Sequence, residues 1–324
     1  MRDANVALGP GPEFDLVRTM LSRWGALAHG VGDDAALLDL PPASRLAVST
    51  DSSVENVHFR REWLSAEEIA YRAAAAALSD LAAMGAAPLG MVIALTLTDV
   101  WRAQVARLAD GFAVASRELG APIVGGNLTA GSELSITVTV LGSVVRALTR
   151  GGARAGDTLW VTGRLGGPLR ALRAFESGTA PAPLDRDRFA RPVPRLREGQ
   201  WLAANGATAA IDCSDGIVSD ASHLAAASGV RIVLDLDLLP RVPGATWNDA
   251  AASGEEYELI VAAPGTLDAG KFENEFGVPL TAVGRVEDLA GGGAGGPARR
   301  GAGVDAYRDG KPVPLPRGHS HFSG

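Results

Sequence analysis

Apolar residues recur at two different spacings along the first half of this chain. Leu16, Val17, Met20, Leu21 and Trp24 share one face at helical spacing, which predicts a helix over Phe14 to Trp24. Ala35 to Leu40 and Leu46 to Ser49 read as strands on either side of a Pro41-Pro42 turn. Ser65 followed by Glu67 and Glu68 marks a helix start, and the alanine-rich run that follows reaches Met84 before Gly85 stops it. Leu89 to Leu97 predicts a buried strand. Asp99 opens an amphipathic helix to about Leu119, and Ala121 to Val124 and Leu134 to Val145 predict two more strands.

Arg150-Gly151-Gly152 is a polar break, and it divides the chain into residues 1–149 and 150–324. Beyond it the pattern predicts strands at Thr158 to Thr162, Ala207 to Cys213, Arg231 to Leu236, Tyr257 to Val261 and Leu280 to Val286. Helices are predicted at Gly166 to Phe175, Arg195 to Asn205 and Ser219 to Ala227, with a loop over Gly178 to Arg188. Gly291 to Gly296 reads as a flexible loop, because no phosphate-loop context surrounds it. Strand runs mixed with long helices in both halves give an α/β or α+β class.

Composition narrows the functions available. A chain of 324 residues, 47% hydrophobic and 21% charged, is an ordinary globular composition. Its net charge of −7 argues against a nucleic-acid groove, which needs a basic stripe. No apolar run reaches the ~20 residues of a membrane helix. Cys213 is the only cysteine, so no thiolate metal cage is available, and a reducing cytoplasm is the expected compartment.

The chemistry lies in short acidic and glycine-rich clusters. They are Gly32-Asp33-Asp34, Ser49-Thr50-Asp51, Ser79-Asp80, Gly125-Gly126-Asn127, Asp212-Cys213-Ser214-Asp215-Gly216, Ser219-Asp220 and Gly254-Glu255-Glu256-Tyr257-Glu258. Carboxylates gathered without matching Lys or Arg repel one another, and hard divalent cations relieve that repulsion. Ser49-Thr50-Asp51 closes an apolar strand, so hydroxyls and a carboxylate converge where the strand ends. Asp80 sits among Ala76, Ala77, Leu78, Leu81 and Ala82, where an unpaired inward carboxylate is costly. Gly125-Gly126 reads as a tight turn able to approach phosphate closely, with a plain turn an equal reading. A helix cap explains Asp215 or Ser219 equally well, but not Asp212. Cys213, with apolar strand neighbours and no nearby His, reads as a buried spacer. Together the clusters point to Mg²⁺-dependent chemistry on a nucleoside triphosphate.

The ordered set resembles the thiamine-monophosphate kinases, within the aminoimidazole-ribonucleotide synthetase-like ATP-binding superfamily. The matching runs are Gly32-Asp33-Asp34-Ala35-Ala36, Ser49-Thr50-Asp51 with His58-Phe59, Leu78 to Ala86, Gly125 to Thr129 and Arg146 to Arg150. They continue through Ile211 to Gly216, Gly254 to Leu259 and His321-Phe322. The resemblance implies an N-terminal α/β domain contributing to a dimer-spanning β-barrel and a C-terminal α+β domain. It implies transfer of a phosphoryl group from ATP to thiamine monophosphate in a homodimer, with no nucleic-acid or membrane partner. By that likeness Asp34, Ser49, Thr50, Asp51, Asp80, Asn127, Asp212 and Asp215 hold several Mg²⁺ ions. Gly126, Asn127, Arg150 and Ser214 contact ATP, and His58, Glu255 and Phe322 contact thiamine monophosphate.

Three positions depart from the family pattern. Asn127 stands where Asp is usual, Glu256 replaces the Asp of a Gly-Glu-Asp-Tyr run, and Gly318-His319-Ser320-His321-Phe322 replaces a Gly-aromatic-Asp-His-Phe terminus. Asn127 can lend an oxygen to a cation but no charge. Two other readings stand beside the kinase: another ATP-using synthetase of the superfamily, or a degenerate nucleotide-binding scaffold.

Overall fold

The computed structural model describes residues 11–31, 35–289 and 302–315. The chain divides into two compact units, one of residues 1–81 and 86–145, the other of 82–85 and 146–324.

In the first unit, helix α1 (Pro12–Trp24) precedes strand β1 (Arg45–Val54), helix α2 (Ala66–Ala83) and strand β2 (Ala87–Leu97). A short α3 (Asp99–Arg102), α4 (Val105–Leu119), β3 (Ile123–Ala130) and β4 (Ser135–Val144) complete it. The strands form one open mixed sheet in the order β1-β4-β2-β3. Only the β2–β3 pair is parallel.

One face of that sheet is dry. Met91, Ile93 and Leu95 of β2 align with Val140, Val138 and Ile136 of β4, all fully or almost fully buried. Leu81 of α2 packs on Gly142 of β4, and Gly111 lets α4 press against the Glu67 backbone of α2. Ala70, Ala74, Ala75, Ala77 and Leu78 are all sealed, so α2 is enclosed on nearly every side. That explains its alanine content, since close neighbours leave room for little more than a methyl group. The opposite sheet face stays open and includes Leu46 and Val48, 48% and 58% exposed.

Three local expectations are corrected here. Ala35 to Leu40 is not a strand: no ladder partner reaches it among the described residues, and Leu37 is almost wholly exposed. A strand needs a neighbour as well as a pattern. The helix expected from Asp99 to Leu119 breaks at Ala103 and Gln104, with Thr98 capping the first piece through Trp101 N–H. Gly125-Gly126 is not a turn but lies inside β3.

The second unit carries β5 (Thr158–Thr162), α5 (Gly167–Glu176), α6 (Pro183–Ala190), α7 (Leu196–Ala204), β6 (Ala209–Asp212) and α8 (Ile217–Ser228). They are followed by β7 (Arg231–Asp235), α9 (Trp247–Ala252), β8 (Leu259–Ala263), α10 (Ala269–Phe276), β9 (Leu280–Glu287), β10 (Gly303–Arg308) and β11 (Lys311–Val313). Its seven-stranded mixed sheet runs β11-β10-β7-β9-β5-β8-β6. Ile217, Val218, Ala221, Leu224 and Ala225 of α8 enter one core with Leu159 and Val161 of β5 and Ile232 and Leu234 of β7. Part of the expected loop over Gly178 to Arg188 is helix α6, entered at Pro183, whose fixed φ suits a first helical turn.

Both units are therefore open-sheet α/β arrangements, and the described residues close no barrel within the chain.

Candidate active site

In the first unit, strand alternation sorts the expected ligands. Successive side chains of a strand point to opposite faces. Ser49 and Asp51 lie in register with buried Val140 and Val138, on the helix-covered face. Asp80, near the end of α2, meets Ser49 there: the Ser49 hydroxyl donates to Asp80 Oδ2 at 2.5 Å. Asp51 also accepts from the Ser52 N–H at 2.7 Å.

Thr50 points the other way and pairs with the Thr139 hydroxyl at 3.0 Å on the open face. Asn127 lies in register with Ala94 and shares that open face, but on β3, the opposite edge of the sheet. Three interstrand steps separate β1 from β3, roughly 14 Å at the usual spacing. Within this sheet, therefore, Thr50 and Asn127 do not share an ion with the Ser49, Asp51 and Asp80 set through their side chains. Gly126 faces the helices, where a Cβ would come within 2.3 Å of the Ile93 carbonyl oxygen. Its glycine answers to a close strand approach, which the turn reading missed.

His58 sits in the turn that follows β1. Its Nδ1 accepts from the Val54 N–H at 3.1 Å, and the His58 backbone N–H donates to the Val54 carbonyl at 2.9 Å. With Nδ1 accepting, the ring proton is on Nε2. Asp34 and Phe322 lie outside the described residues.

In the second unit two runs far apart in sequence are laced together. Cys213 N–H donates to the Glu258 carbonyl at 2.7 Å, Tyr257 N–H to Cys213 at 2.9 Å, and Glu255 N–H to Ser214 at 2.6 Å. A Cβ at Gly254 would stand 2.7 Å from the Ser214 carbonyl oxygen, so only glycine fits this approach. Asp212 is buried at the end of β6, and Ser214 and Asp215 are half-buried in the turn before α8. Glu255 and Tyr257 both take left-handed backbone conformations, φ 57° and 53°. Such conformations cost about 1–3 kcal/mol each and persist where surrounding contacts over-determine them.

Asp220, absent from the expected site residues, caps this turn. Its Oδ2 accepts from the N–H groups of Asp215 and Gly216 at 3.1 and 3.0 Å. No cap comes from Asp215 or Ser219, since Gly216 occupies the cap position. Burial first, then the negative charges of Asp212 and Asp215, push the Asp220 carboxyl up to about 8. Sequence reasoning missed Arg188 and Arg195, and it gave no role to Glu256 and Glu258 within the cluster it had singled out. The two glutamates are buried, and Glu258 takes two hydrogen bonds from Arg195, at 2.7 and 2.6 Å, and one from Thr162 at 2.8 Å. Burial alone would raise the Glu258 carboxyl, but Arg195, Arg188 and Thr162 together hold it below its ordinary value. The clue in the sequence was acids spaced two apart leading into an apolar strand.

Cys213 is fully buried, and burial with the surrounding acids pushes its thiol up, so it is an inert spacer as expected. Arg150 is exposed at the other end of α8, where Ser228 Oγ donates to its carbonyl at 2.6 Å. The length of α8 puts it roughly 18 Å from the Ser214 turn, so the structure does not bring these two residues together within the unit.

Among the described residues no three His, Cys, Asp or Glu side chains gather closely enough to hold a metal. The donors are carboxylate and hydroxyl oxygens in small sets: Ser49 with Asp80, and Asp212 and Asp215 beside the turn that Asp220 caps. That fits Mg²⁺, which takes one or two carboxylates and completes its shell with water and substrate phosphate.

The chain matches the AIR synthase related protein N-terminal domain over residues 32–144 and the corresponding C-terminal domain over 154–295, so this is an AIR synthase related protein. It is 37% identical to the thiamine-monophosphate kinase of Escherichia coli O157:H7 over 315 residues, covering 91% of this chain and 92% of the relative. A crystal structure of thiamine-monophosphate kinase from Stenotrophomonas maltophilia K279a superposes with a TM-score of 0.78 at 33% identity, covering 93% of this chain and 98% of that one. A further solved structure, complexed with AMPPCP and TMP, gives a TM-score of 0.73 at 29% identity over 95% of this chain and 96% of that one. The chain belongs to the thiamine-monophosphate kinase family. No described helix is long and apolar enough to cross a membrane.

Proposed function

We propose that this chain transfers the γ-phosphoryl group of ATP to the phosphate of thiamine monophosphate, giving thiamine diphosphate and ADP. The observation that carries this is the likeness to thiamine-monophosphate kinases across both units, one relative being solved with AMPPCP and TMP.

The acceptor is a phosphate oxygen already ionised at neutral pH, so no side chain has to remove a proton. The task left to the protein is to hold two anions close together in line. Gly126, Asn127, Arg150 and Ser214 bind ATP; His58 and Glu255, with Phe322 from outside the described residues, bind thiamine monophosphate. Ser49, Asp51 and Asp80 in one unit, and Asp212 and Asp215 in the other, hold Mg²⁺. When bound, Mg²⁺ neutralises phosphate charge and stabilises the charge that builds as the phosphoryl group moves. Asp34 joins the proposed ligands, and Thr50 and Asn127, on the open sheet face, would serve cations other than the one held by Ser49, Asp51 and Asp80.

That open face also supports a homodimer. Leu46 and Val48 leave apolar surface exposed on a four-stranded sheet, and a second copy that closes the sheet into a barrel would cover it. ATP as the phosphoryl donor supports a cytoplasmic reaction.

Product analysis tests the reading. The protein with ATP, Mg²⁺ and thiamine monophosphate should form thiamine diphosphate and ADP in equal amounts. Another phosphorylated product would favour a different synthetase of the superfamily, and nucleotide binding with no product would favour a scaffold.

A further inference from the structure

Arg188 reaches from α6 beneath the Gly254–Glu258 run. Its Nη2 donates to the Arg164 carbonyl at 2.5 Å, to Glu256 Oε2 at 3.2 Å and to Glu258 Oε1 at 3.3 Å. Those two glutamates are 4% and 1% exposed and would repel each other without a shared cation. Glu256 is held from a second side by the Gly166 N–H at 2.5 Å, and Glu258 by the bidentate Arg195. Glu256 and Glu258 alternate with the two left-handed residues, Glu255 and Tyr257. The arginines thus grip the run on both sides of its unfavourable backbone.

We propose that Arg188 is a positioning residue for the Glu255 carboxylate: by tying Glu256 to Glu258 it fixes the left-handed backbone that sets the direction of Glu255. A side chain leaves its backbone along a bond that φ and ψ determine, so holding the neighbours of Glu255 holds its Cα–Cβ direction. The backbone bond from Glu255 N–H to the Ser214 carbonyl carries the same constraint into the Asp212–Gly216 turn. Arg188 touches neither substrate in this scheme. It acts through Glu255, and the proposal rests on the reading of Glu255 as a contact to thiamine monophosphate.

The test is a double-mutant cycle in the full chain, read by steady-state kinetics with ATP, Mg²⁺ and thiamine monophosphate. Arg188→Met should raise KM for thiamine monophosphate about tenfold, leave KM for ATP within about twofold, and have less than about a twofold effect on KM when added to Glu255→Gln. Arg188→Lys, which keeps the charge, should restore part of the loss; it replaces Arg188→Met in the cycle if circular dichroism shows that variant unfolded. Equal effects on both KM values, or effects that multiply independently in the double variant, would overturn the proposal while leaving the role of Glu255 intact. A parental KM for thiamine monophosphate in Glu255→Gln alone would instead remove the reading of Glu255, and the positioning role with it.

Discussion

The Ser49 hydroxyl donates to Asp80 Oδ2 across 2.5 Å, linking an edge strand to the buried helix α2. The pair unites two acidic clusters 31 residues apart. Asp80 is thereby aimed along the sheet face that also carries Asp51.

Asp80→Asn keeps an acceptor for Ser49 and removes the charge. Turnover should fall about a hundredfold or more, the scale of losing one preorganised group that stabilises transition-state charge. The denaturation midpoint should move little, because the hydrogen bond survives. Chemical denaturation and initial rates on the same preparation check this; a stability loss without a rate loss would make Asp80 structural.

Asp220 offers a separate handle on the second unit. Asp220→Ala should strand two backbone N–H groups and cost about 1–3 kcal/mol, whereas Asp220→Asn keeps an acceptor and should cost less than half as much. Urea denaturation of the two variants measures the difference. Equal losses would mean that the capping bonds contribute nothing.

Glu256 makes stability depend on pH in a defined direction. Burial raises its carboxyl from 4.5 to about 7, against the opposing pull of Arg188. Its contribution is therefore fully present below about pH 4.5 and is lost as pH rises through 7, up to about 3 kcal/mol at ~1.4 kcal/mol per unit. Arg188 from α6, the Ser253 hydroxyl and the Gly166 N–H face it, and Glu258 shares Arg188 with it. Glu256→Gln should lose less stability between pH 5.5 and 8 than the parent, measured by urea midpoints. Parallel pH–stability curves would contradict the shift.

Asn127 supplies no charge where an aspartate would. Asn127→Asp should lower the Mg²⁺ concentration at half-maximal rate severalfold, since an added carboxylate strengthens hard-cation binding. An unchanged half-saturation point would take Asn127 out of the cation set.

Local pattern was enough for elements whose period is internal. Thr158 to Thr162 is β5 at its expected bounds, and the alanine run after Ser65 is α2. What failed depended on neighbours distant in sequence. Ala35 to Leu40 has a strand's composition but no ladder partner among the described residues, and Gly126 is glycine because of the Ile93 carbonyl, not because the chain turns. For the site, the acidic clusters were visible because carboxylates are conspicuous in apolar surroundings. Their sorting was not, since the opposite faces of Ser49 and Thr50, and the opposite edges holding Thr50 and Asn127, follow from sheet order. Arg188 and Arg195 were invisible as partners of Glu256 and Glu258 because nothing in a linear pattern joins positions some 60 to 70 residues apart.

Direct transfer between the two substrates is the claim on which the account turns. A single turnover with ATP labelled in its γ-phosphoryl group tests it most directly. The label should appear in the terminal phosphoryl of thiamine diphosphate, one equivalent per ADP, with none on the protein. Label attached to the protein on the way to product, or released as free phosphate without thiamine diphosphate, would contradict it.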